Sequence, residues 1–262
     1  MHTEEIGLWA LSSYYALLII PLGLMIWLRI PIIGKTLSAV ARMTFQLLFV
    51  GFYLQIVFSL NSPWINGLWL VVMVAVADFS IVRGCGLRLR RFLFPLFVAL
   101  VGGTALPLLV FVGPLLNRPM LMDAQYVIPI GGMILGNCLR ADIIGIRSFY
   151  EAMNQREKAF LYTLSQGARL HEAIRPYLRH ACRAALLPTV ATMATIGLVA
   201  LPGMMTGVIL GGADPMTAIK YQISIMIAIF TGTSITVVLA ILMSVRGSFG
   251  PYGILDPLAF RS

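Results

Sequence analysis

The chain has 262 residues, of which 59% are hydrophobic and only 11% charged, with a mean hydropathy of +0.91. Soluble domains carry about a quarter charged residues, so a soluble fold is excluded and an all-α polytopic membrane protein is predicted. The net charge of +9 suits nucleic acid in principle, but the basic residues fall in alternate connections, the pattern that sets membrane topology, and no nucleic-acid partner is predicted.

The opening MHTEEIGLWA is acidic and lacks a basic n-region, so the first apolar segment, residues 8–28, reads as a retained helix rather than a cleaved signal. The second apolar segment covers residues 39–60 and opens near Arg42. After the break at Asn61-Ser62-Pro63 a third runs over 65–82, and the basic turn RGCGLRLRR leads into a fourth over 92–116. A short loop, 117–125, precedes the fifth segment, 126–147, which is less apolar and contains Asn137, Arg140 and Asp142. The sixth, 187–211, is interrupted at Leu201-Pro202-Gly203. Asp214-Pro215 reads as an N-cap with a first-turn proline, opening the seventh segment, 217–245. Each segment approaches the roughly 20 residues that a spanning helix needs. Connections one, three, five and seven hold 17 of the 19 Lys and Arg. That bias predicts about seven spans, with the N-terminus outside, the C-terminus cytoplasmic and no second domain over 1–262.

Several chemistries are absent from the sequence. Gly34-Lys35-Thr36 lacks the earlier glycine of a P-loop, since Arg29 stands there, and it follows an apolar helix rather than a strand. The chain is therefore predicted to hydrolyse no ATP and to bind no cofactor of its own. Cys85, Cys138 and Cys182 are isolated, which argues against both a disulfide framework and a zinc site.

The one long polar interval is 151–188, with a cytoplasmic segment expected over about 151–183. Gly167 can end one helix and Pro176 is expected to end the next, leaving only about two turns from Ala168 to Arg175. Glu172 and Arg175 are spaced to pair across its exposed face. A helix that short is marginal alone in water and needs something to dock against. Anionic lipid at the membrane surface is one candidate and another protein is a second.

The order of residues adds a resemblance. Leu164-Ser165-Gln166-Gly167-Ala168, followed by Arg183-Ala184-Ala185-Leu186-Leu187-Pro188, resembles the coupling region of ABC transporter permeases. Ile128-Pro129-Ile130-Gly131-Gly132, the run from Gly197 through Leu201-Pro202-Gly203-Met204-Met205 to Gly207, Asp214-Pro215 and Lys220-Tyr221-Gln222 resemble more narrowly the FetB family of iron-exporting ABC permeases. The resemblance implies a permease in the inner (plasma) membrane that works as a homodimer with a separate cytoplasmic ATPase, the ATP and Mg residing on that partner. It implies Ser165, Gly167, Ala168, Glu172 and Arg175 as the ATPase-coupling residues, and export of iron or a related metal. The chain departs from the wider pattern where an acidic residue often precedes the coupling glycine by five or six positions, having Leu161 and Tyr162 there.

A substrate pathway is expected where the fifth and sixth segments meet. Met133 and Met204 sit at equal depth if those segments are antiparallel, Asn137 lies one turn from Met133, and Pro202 breaks the sixth helix and frees carbonyls. Met133, Asn137, Pro202, Met204 and Met205 form this candidate pathway, with Met204, Met205 and Met133 as ligands to a transported metal ion. Thioethers favour soft ions and hold Fe(II) weakly, and methionine is also a common gap-filler, so packing stands beside this reading. Gly203, Gly207 and Gly211, with Gly132 and Gly136, are expected to pack helices closely within the protomer, with a dimer seam as the second reading. Asp78, Arg140 and Asp142 are expected to include an Arg–Asp pair. A secondary transporter or channel, an ABC permease for a non-metal substrate, and an accessory membrane protein are the alternatives.

Overall fold

A computed structural model describes residues 7–115, 122–250 and 254–255. The acidic opening, residues 117–121 of the fourth loop and most of the tail lie outside them. Every named element among the described residues is a helix, and the chain divides into two compact units, 1–60 with 210–212, and 61–209 with 213–262. Five helices are long and apolar enough to cross a membrane: Ile33–Leu60, Pro63–Gly84, Leu89–Gly113, Ala124–Gln155 and Pro215–Ser248. The chain is thus an all-helical polytopic membrane protein. The two remaining expected spans, the first and the sixth, are the ones that the structure interrupts.

In the first unit, α1 (Leu8–Tyr15) joins α2 (Ile19–Trp27) through a 3-10 turn at Ala16–Leu18. Pro21 accounts for the turn, because its ring crowds the carbonyl four residues back, at Leu17, and it donates no hydrogen bond. α3 (Ile33–Leu60) follows, with Val57 its one buried side chain. An all-round apolar helix with so little buried protein surface is suited to lipid contact. Tyr15 and Thr44 share a hydroxyl–hydroxyl bond of 2.6 Å.

The second unit packs α4 (Pro63–Gly84), α5 (Leu89–Val110), α6 (Ala124–Gln155), α8 (Leu170–Thr195) and α10 (Pro215–Ser248) around one core. α10 lies against α5, α6 and α8. Both ends are stitched by polar groups. At the first, the Asn66 amide donates to Met122 O (2.7 Å), and Asn61 Oδ1 accepts from the Ala124 N–H (3.0 Å). At the second, the Arg147 guanidinium donates to Gly84 O, while Tyr150 OH meets Ser244 (3.0 Å) and Ser248 (2.7 Å). Inside a membrane such buried polar groups need partners from protein, and these bonds supply them.

The closest helix approach is not the expected one. A Cβ built on Gly103 of α5 would overlap Thr236 and come within 3.3 Å of the Gly232 carbonyl oxygen on α10. Gly203, Gly207 and Gly136 instead have no atom within 4 Å of such a Cβ, although Gly132 meets Met73 at 3.1 Å. The four-residue glycine spacing alone could not say which helix had a neighbour on that side.

Candidate functional site

The polar interval folds differently from its sequence-based outline. α6 continues to Gln155, α7 spans Glu157–Ser165, and α8 runs unbroken from Leu170 to Thr195 with Pro176 and Pro188 inside it. The expected two-turn helix ending at Pro176 is therefore incorrect. Tertiary packing overrides the proline, since Ala173, Ile174, Tyr177, Ala181 and Ala185 form a buried stripe on α8. Phe160 of α7 stacks edge-on against Tyr177 (6.1 Å) and meets Phe249 at a tilt (5.8 Å), anchoring α7 to the bundle.

Between α7 and α8 the chain turns at Gly167, which has φ +89°. The Gly167 N–H donates to Leu164 O (3.0 Å) and the Ala168 N–H to Thr163 O (3.4 Å). These are the paired bonds of a Schellman ending, which needs a left-handed residue at the position that Gly167 occupies. Glu172 does not reach towards Arg175. Its carboxylate accepts from the Arg169 N–H at 2.8 Å, satisfying one free donor of the α8 amino end. Ser165, Gly167 and Arg175 are exposed and Ala168 is partly so, while Tyr162 and Leu161 project from the open face of α7. This turn lies at the same end of the unit as Arg83, Arg88, Arg147 and Arg156.

Further along α8 the helix stops. Residues 196–202 are non-helical, with Gly197 at φ +85° and its N–H donating to Ala200 O (3.0 Å), before α9 (Gly203–Leu210) begins. Asp214 then caps α10, accepting from the Thr217 N–H at 3.0 Å. Beside the break, α6, α8, α9 and α10 enclose an open cavity of about 420 Å³. That is within the range of small-molecule sites.

Met133, Asn137, Pro202 and Met204 all line this cavity, and Met205 does not. One residue is about 100° around a helix, so adjacent methionines on α9 cannot both face the same space. The Asn137 amide donates to Met133 O at 2.8 Å, which ties its side chain back onto the α6 backbone. Thr192 and Thr195 donate their hydroxyl hydrogens to Pro188 O (3.0 Å) and Ala191 O (3.1 Å), which leaves oxygen lone pairs free towards the space they line.

Among the lining groups outside the expected set are Arg140, Gln222 and Met226. Arg140 lies three residues from Asn137 and seven from Met133, so it shares their helix face, a spacing legible in the sequence. The expected Arg–Asp pair does not form. Asp142 is two residues on, nearly across the helix, and is fully buried, as is Asp78. Neither carboxylate has a hydrogen-bond partner among the described residues. Gln222 is 8% exposed and its Oε1 is likewise unpartnered. Among the described residues no cluster of three His, Cys, Asp or Glu is placed to hold a metal.

A profile of the Uncharacterised protein family UPF0014 matches residues 8–249. The UPF0014 membrane protein slr1647 of Synechocystis is 34% identical over 217 residues, covering 83% of this chain and 84% of that protein. A protein of Escherichia coli that bears the name "Probable iron export permease protein FetB" is 32% identical over 211 residues, 80% of each chain. Protein ALUMINUM SENSITIVE 3 of Arabidopsis thaliana is 32% identical over 197 residues, 74% of this chain and 69% of its own. No solved structure matches the chain. With an all-helical membrane fold and a profile match from end to end of its helical bundle, this chain belongs to the UPF0014 family of membrane proteins.

Proposed function

We propose that the chain is the membrane permease of an ATP-driven exporter, with ATP hydrolysed on a separate cytoplasmic subunit that carries the nucleotide and Mg. The observation that carries this reading is the path from α7 to the cavity. One continuous helix, α8, starts at the exposed Gly167 turn and ends at the broken segment that lines the cavity. A push on the turn is thereby delivered along a rigid rod to residues 196–202, where non-helical backbone can rearrange. Ser165, Gly167, Ala168, Glu172 and Arg175 would meet the motor subunit. The clustering of arginines around the turn supports a cytoplasmic placement of that end, in the inner (plasma) membrane. Two copies would pair to complete a translocation path.

The name of the Escherichia coli relative supports iron or a related metal as cargo. Met133 and Met204, with Met205 behind them, are the candidate contacts to the moving species. The test is hydrolysis by the chain reconstituted with its candidate ATPase in proteoliposomes, across a panel of metals with and without chelator. Cargo-stimulated hydrolysis that disappears when α7 is deleted is the expected result. Full-rate transport with no hydrolase present would refute the reading and return the chain to the secondary transporters.

A further inference from the structure

The charge of the cavity sets the chemistry of what it can hold. Arg140 is the sixteenth residue beyond Ala124, about 24 Å along α6, so its exposed guanidinium faces the cavity from within the span. An arginine at membrane depth is costly and is kept where it meets water, protein or cargo. No carboxylate lines the cavity, and no described acid pairs with Arg140. Asp78 and Asp142 are both buried in the helix core, and neither lines the cavity.

Two further features favour a negative group. Gly203 and Met204, the first residues of α9, line the same space. The leading N–H groups of a helix have no intrahelical acceptor, and the end carries a positive partial charge. Gln222 contributes a carboxamide that is more than nine-tenths buried, lines the cavity and has an unpartnered oxygen. That oxygen is itself shut off from solvent, and the nitrogen of the same carboxamide carries two N–H donors that suit an oxyanion. A bare divalent cation here would face a guanidinium and a positive helix end, with no anionic ligand and only neutral oxygens from Asn137, Thr192 and Thr195 and weak thioethers from Met133, Met204 and Met226 to hold it.

We infer that the cavity takes its cargo through an oxyanion, a carboxylate or phosphate group held by Arg140 and Gln222 against the amino end of α9. This rests on the cavity being the transport pathway. A metal ion then travels as an anionic chelate and not as the aquo ion. The thioethers and the aliphatic walls contact the apolar part of that complex.

The experiment is equilibrium binding to the purified full-length chain in nanodiscs, without any hydrolase. The probes are citrate, ferric citrate, inorganic phosphate and Fe(II) alone. At least one anion should bind saturably, and Arg140→Gln should weaken it by about tenfold to a hundredfold, the worth of a hydrogen bond to a charged group. Arg140→Lys, which keeps the charge, should bind more tightly than Arg140→Gln, which also controls for misfolding. Binding by ferric citrate but not citrate assigns the chelate, and the converse assigns the free acid. The inference is overturned if no anion binds, if Arg140→Gln and Arg140→Lys bind alike, or if Fe(II) alone outcompetes every anion. Because no ATPase enters the assay, failure here leaves ATP-driven transport standing, and failure to find a motor subunit leaves this result standing.

Discussion

Two neighbouring glycines on α5 give a sharp test of the packing. A Cβ on Gly103 would overlap the Thr236 methyl, stand 3.0 Å from the Thr236 backbone nitrogen and 3.3 Å from the Gly232 carbonyl oxygen. The last two are backbone atoms, so no side-chain rotation relieves the contact and α5 must move away from α10. Overpacking of this kind costs about 1–3 kcal/mol, against which alanine recovers about 1 kcal/mol of helix propensity. Gly103→Ala should therefore destabilise by up to about 2 kcal/mol. At Gly102 the nearest atom to a Cβ is Leu239 Cδ1 at 3.8 Å, an ordinary contact. Gly102→Ala should stabilise by about 1 kcal/mol through propensity alone. The assay is thermal unfolding of each variant in one detergent. The two differ by about 1–3 kcal/mol, which at about 2–4 °C per kcal/mol separates their midpoints by about 2–12 °C. Equal midpoints would mean that α5 and α10 do not meet at these residues.

Phe160 is 3% exposed and sits between Tyr177 and Phe249. Phe160→Ala should cost about 3–5 kcal/mol locally, raise hydrogen exchange over residues 157–165 and abolish cargo-stimulated hydrolysis; exchange rates identical to the parent would contradict the anchoring role. Asp142 is fully buried with both carboxylate oxygens unpartnered. Asp142→Asn replaces a buried carboxyl by an amide of the same shape whose oxygen can accept from the neighbouring Thr236 hydroxyl, so the melting temperature should hold or rise, and a drop of several degrees would refute that reading. The Cys85 thiol, just beyond the end of α4, is pushed up to about 12, first by burial, with Arg147 opposing and Asp142 adding to it. It stays protonated below that value, so its alkylation by iodoacetamide should be slow at pH 7 and still be climbing at pH 10. A rate that levels off near pH 9, as for a free cysteine of pKa about 8.5, would show that the thiol is not buried.

Much of the chain was legible in its residues, because lipid imposes a simple rule: backbone polar groups must be satisfied within each segment, so apolar runs of sufficient length become helices. Composition and length thus determined the all-helical fold, Asp214-Pro215 determined the start of the last helix, and the proline-glycine break determined that the chain would be interrupted before Gly203. The left-handed turn at Gly167 was legible too, since only a residue without a Cβ adopts that conformation freely. What a neighbouring helix supplies was not legible. Pro176 reads as a terminator until the buried stripe from Ala173 to Ala185 is seen to hold α8 together. Gly203 and Gly207 read as a packing ladder until Gly103 and Gly232 are found at the close approach. Arg140 and Asp142 read as a pair until the helix turns one into the cavity and the other into the core. A one-dimensional pattern records which residues share a face of one helix, whereas the partner of that face is fixed only when the helices assemble.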